Sequence, residues 1–117
     1  MIIKLPFIPF TSISAITISP NLIIADRFDI ENSEWLLQHE QIHQEQMRRI
    51  GTIKFHWKYI TDSKFRLEAE VEAYHDSYKR LPSNLFNFAR SLRESYWLDV
   101  SMDDAMNMIR TGIVKSL

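Results

Sequence analysis

At 117 residues, with 45% hydrophobic and 12% aromatic side chains, the chain carries enough apolar mass for one small domain with its own core. Its net charge of −1 gives no electrostatic case for nucleic acid or an anionic membrane surface as a partner. It has no cysteine, which excludes disulfides and thiolate ligands, so any metal ion must be held by histidine and carboxylate.

The N-terminal segment, residues 1–24, is apolar but interrupted by Lys4, Pro6, Pro9 and Pro20. No unbroken apolar run approaches the roughly 20 residues of a spanning helix, and no secretory signal is evident. The expectation is therefore an intracellular, cytoplasmic protein with no membrane association. The β-branched content of this segment reads as strands. Residues 13–18 and 22–25, joined at Ser19-Pro20-Asn21, predict a β-ribbon.

Around Ser33 the apolar period becomes helical. Ser33 is a candidate N-cap, Glu34 suits the first turn, and Trp35, Leu36, Ile42, Met47 and Ile50 recur at helical spacing until Gly51, which predicts a helix over residues 33–50. Arg48 and Arg49 suit its negative pole. Residues 52–61 are aromatic-rich and fit either a short helix or an irregular connection. A second long helix is predicted from Asp62 or Ser63 to Arg80, stopping before Pro82, and a third over residues 85–98. Ser101, with Asp104 three residues on, opens a last short helix that ends near Gly112.

The most informative motif lies inside the first of these helices. His39-Glu40-Gln41-Ile42-His43 is an HExxH segment, which this composition would produce in about one shuffled copy in a hundred. Residues four apart share a helix face, so the two imidazoles can converge on one zinc ion. Glu40, one position round, lies beside that face, where it can take a proton from a water the metal activates.

Such a site needs a third protein ligand. A metzincin would place a third histidine ten residues after the first; here that position holds Arg49. A cysteine ligand is excluded by composition. The remaining source is the acidic run on the next long helix, Glu68, Glu70 and Glu72. Steps of about 200° put Glu68 and Glu72 on one face and Glu70 nearly opposite. Glu70, flanked by Val71 and Tyr74, is the carboxylate expected to be half-buried, where a zinc ion would be a suitable partner.

Residues 13–76 resemble the small single-domain gluzincin-type metallopeptidases of bacteria and phages. The resemblance rests on Ile16-Thr-Ile-Ser-Pro-Asn-Leu-Ile-Ile24, on HExxHxxQ with Gln46, and on Leu67-Glu-Ala-Glu-Val-Glu-Ala-Tyr74. It implies that the third ligand is a glutamate of the second helix. The family pattern falls on Glu70-Val-Glu-Ala-Tyr74, with Tyr74 where a carboxylate usually accepts a ligand histidine's second N–H. A rival alignment, Glu72-Ala-Tyr-His-Asp76, keeps an aspartate there but loses the Ala-Tyr match.

The expected architecture is α+β in one domain, with a small N-terminal β-ribbon or sheet on a helical core and the zinc site between the HExxH helix and the following glutamate-bearing helix. The expected function is zinc-dependent hydrolysis of peptide bonds in a peptide or protein substrate, with Zn²⁺ on His39, His43 and Glu70 and Glu40 as general base. The alternatives are a catalytically silent or latent binding module on the same fold, phage-associated, and a helical structural protein in which HExxH is accidental. His56 and His75 read as packing or surface residues, with an oxyanion donor as the alternative role for His75. Phe55, Trp57, Tyr59 and Phe65 read as core or cleft wall.

Overall fold

The predicted ribbon is present and has gained a strand. In a computed structural model of the chain, which describes residues 1–5 and 15–115, β2 (Ala15–Ser19) and β3 (Leu22–Asp26) pair antiparallel across the Pro20-Asn21 turn. Residues 13 and 14 of the predicted strand lie outside the described residues. β1 (Ile2–Leu5) runs parallel to β3 on its other side, giving the order β1-β3-β2. The residue before it is tied to the turn and to β3: the Met1 amino group donates to the carbonyl of Asn21 at 2.5 Å, and Ile23 N–H donates to Met1 O at 2.9 Å. Alternation along β2 and β3 sends Ala15, Thr17, Ile23 and Ala25 inward.

A short helix absent from the sequence reading, α1 (Arg27–Asn32), follows β3 directly. The HExxH helix, α2, spans Glu34–Ile50 and packs against α1 and β2. Ile30 and Leu36 close over Ala15, Ile23 and Ala25 to make the local core, with Trp35 and Leu37 at its margin. Ser33 caps α2 through its extended backbone (φ −134°, ψ 90°) without a side-chain bond. Gly51 ends it at φ 94°, a left-handed value that favours glycine, with its N–H on Met47 O at 2.7 Å.

Residues 52–61 are a helix, α3 (Thr52–Thr61), and α4 spans Ser63–Arg80. Asp62 caps α4, its side chain accepting from Lys64 N–H at 3.0 Å and Phe65 N–H at 3.2 Å. A 3₁₀ turn at Pro82–Asn84 leads into α5 (Leu85–Ser95), and α6 (Met102–Thr111) closes the order. Ser101 caps α6 as expected, its hydroxyl accepting from Asp104 N–H at 3.1 Å. Leu67 and Val71 of α4, Phe88, Ala89 and Leu92 of α5, and Ala105, Met108 and Ile109 of α6 are buried where these three helices pack together. Trp57, expected in the core or a cleft wall, is instead 70% exposed: Phe55 occupies the buried face of α3, and Trp57 falls on its outer one. No helix among the described residues is long and apolar enough to cross a membrane.

The chain is α+β, as expected. By backbone contacts it divides into two units, Met1–Phe55 and His56–Leu117. In the second, α5 ends three residues before its predicted end, and the cause is Arg66. This buried guanidinium reaches back to Tyr59 O (2.7 Å) and Ile60 O (3.4 Å) at the end of α3, and across to Tyr96 O (2.8 Å) and Trp97 O (3.4 Å) beyond α5. The carbonyls that a continuing helix would have used turn towards Arg66, and Trp97 takes up φ 54°.

Candidate metal centre

On α2, the face carrying the HExxH histidines is buried. His39 and His43 are 2% and 6% exposed, and their ring centroids lie 4.9 Å apart in a T-shaped pair. Trp35 stands edge-on to His39, with ring centroids 6.5 Å apart, and Phe55 lies 6.2 Å from His43. One turn further on, Gln46 Oε1 is 2.8 Å from His43 Nδ1. A carbonyl oxygen only accepts, so Nδ1 carries the proton and Nε2 the lone pair. Gln46 thus sets His43 in the tautomer a metal ligand requires.

Glu40 is equally buried, and its partner comes from the sheet. Thr17 of β2 points inward, and its hydroxyl lies 3.1 Å from both Glu40 O and Glu40 Oε2, one proton shared between two acceptors. The base candidate is therefore held where β2 packs on α2. The sequence reading did not single out Thr17, although the signal was there: Thr17 takes the inward phase of a strand whose other inward residue is apolar.

On α4, the three glutamates separate by exposure. Glu68 and Glu72 are exposed, whereas Glu70 is 1% exposed, more deeply buried than the half-burial expected. The Tyr59 hydroxyl donates to Glu70 Oε2 at 2.5 Å. Tyr74 Oη, at the position the resemblance assigns to a histidine's carboxylate acceptor, is bonded to Tyr96 Oη at 2.8 Å. Three tyrosines thus gather around one buried carboxylate, and neither Tyr59 nor Tyr96 was singled out from sequence as a site residue. His75 Nδ1 is 2.8 Å from Ile109 O, and a side chain at Gly112 (φ 74°) would come within 2.9 Å of the His75 ring. His75 is a packing residue between α4 and α6. His56, on α3, is partly buried.

Burial pushes the Tyr96 hydroxyl well above the usual phenol range, and the nearby Glu70 carboxylate and Tyr74 add to the rise. Because the folded pKa is raised, Tyr96 contributes full stability below the unfolded value of about 10, and that contribution is lost as pH climbs through the folded one. Alkaline unfolding should therefore move to higher pH in Tyr96→Phe, which has no phenol to ionise. An unchanged midpoint would contradict this.

No family model, curated protein or solved structure matches the chain.

Proposed function

We propose that the chain is a zinc-dependent peptidase of the small gluzincin kind, with His39, His43 and Glu70 as metal ligands and Glu40 as general base. The observation that carries the reading is the makeup of α2: two buried imidazoles four residues apart, one with its tautomer set by Gln46, beside a buried carboxylate that Thr17 holds. His39, His43 and Glu70 are all buried, the two histidines in the first unit and Glu70 in the second. Two imidazoles and one carboxylate, with no thiolate in the chain, fit the ligand chemistry of a catalytic zinc.

When bound, zinc supplies Lewis-acid chemistry, polarising a carbonyl and lowering the pKa of water towards about 7. Glu40 takes one proton of the attacking water and passes it to the leaving amine, while the other stays on the oxygen that joins the new carboxyl group, so the peptide bond breaks with both protons accounted for. Thr17 keeps the Glu40 carboxylate in place for both transfers. The burial of all four groups keeps bulk water from competing for these bonds.

The test is metal removal. Cleavage of unfolded protein substrates by the purified chain should vanish on treatment with 1,10-phenanthroline and return with added zinc. A zinc-loaded chain that cleaves none of a broad substrate panel overturns the reading.

A further inference from the structure

If Glu70 is a zinc ligand, as proposed above, its carboxylate has to be aimed, and a second side chain stands where it can do the aiming. Tyr59 Oη donates to Glu70 Oε2 at 2.5 Å, the length of a strong hydrogen bond to an ionised acceptor. Tyr59 is itself fastened. Arg66 Nη1 donates to its carbonyl at 2.7 Å, and the guanidinium lies 6.0 Å from its ring centroid. Arg66 and Glu70 are four residues apart on α4, one turn, so the helix that carries Glu70 also anchors the residue that holds it. The backbone of Tyr59 is therefore held by Arg66, whose guanidinium also faces its ring.

We infer that Tyr59 is a positioning residue for metal binding: its hydroxyl fixes the orientation of the Glu70 carboxylate, so that Glu70 is presented as a ligand before zinc arrives. Without that bond a buried carboxylate on a three-bond side chain samples several rotamers, and the entropy of selecting one is charged against metal affinity. Partners of this kind, one bond removed from the metal, typically carry about 10–100-fold in affinity.

The experiment uses the full chain and zinc itself, titrated in competition with a chromophoric chelator, with the metal-free melting temperature measured alongside. Tyr59→Phe removes one oxygen and keeps the ring. It should weaken zinc binding by about 10–100-fold and alter the visible spectrum of the cobalt(II)-substituted protein, which reports on ligand geometry. A purely structural role would lower the metal-free melting temperature and leave both readouts as in wild type; that result overturns the inference. Glu70→Ala and Glu68→Ala make the two possible failures distinguishable. If Glu70→Ala loses zinc while Tyr59→Phe binds it normally, the role of Tyr59 is wrong and the ligand assignment stands. If Glu70→Ala binds zinc as well as Glu68→Ala does, the ligand assignment falls and the inference falls with it.

Discussion

Glu40→Gln is expected to fold and take up zinc like the wild type while losing roughly 10²–10⁴-fold in the rate of peptide cleavage. The substitution is close to isosteric, and the amide oxygen can still accept from the Thr17 hydroxyl that now lies 3.1 Å from Oε2. What disappears is the basic carboxylate. Because Glu40 is not one of the proposed ligands, the loss should appear in kcat with zinc stoichiometry unchanged. A variant that cleaves at the wild-type rate would mean another group takes the proton. One that loses zinc along with activity would place Glu40 among the ligands.

Arg66→Ala should be the most damaging substitution for stability, about 3–6 kcal/mol, from two short bonds by a charged donor at roughly 1.5–3 kcal/mol each. The side chain is 8% exposed, and its loss would strand carbonyls at the ends of two helices, Tyr59 and Ile60 on one side and Tyr96 and Trp97 on the other. A fall in melting temperature on the order of 15 °C is the expected readout. Arg66→Lys should rescue only a small part, since one ammonium cannot reach carbonyls on both sides as a planar fork does. If Arg66→Ala melts within a few degrees of wild type, these carbonyls are satisfied by other means.

The long helices were legible because their signals are local. Apolar spacing, Gly51, Pro82 and the Ser101–Asp104 pair each act within a turn or two, and α2, α4 and α6 lie close to their predicted bounds. The HExxH residues were legible for the same reason, since a helix face is decided by spacing alone. What sequence did not show depends on distant partners. β1 is a four-residue strand that pairs with β3, about twenty residues on. The short α1 has no glycine stop and too few turns to show a period. The end of α5 at Ser95 is imposed by Arg66, some thirty residues earlier in the chain. In the site, the burial of Glu70 followed from its apolar neighbours, but Tyr59 and Tyr96 come from α3 and from beyond α5. Thr17 could have been found by asking why a hydroxyl takes the inward phase of an otherwise apolar strand.

Under the proposed mechanism, the bond from Thr17 to Glu40 also makes reactivity a matter of strand parity. Successive side chains on β2 face opposite ways, so sliding the strand by one residue would bring Ile16 or Ile18 to the place of the hydroxyl and leave the carboxylate against hydrocarbon. The irregularity between Thr17 and Ser19 lies just before the turn that fixes this phase, with Ser19 paired to Leu22. An insertion of one residue at Pro20-Asn21 changes no group proposed to touch metal or substrate, yet the phase it sets decides whether the Thr17 hydroxyl reaches Glu40. If Glu40 is the base proposed above, chain length in a surface turn thereby becomes a determinant of proton transfer.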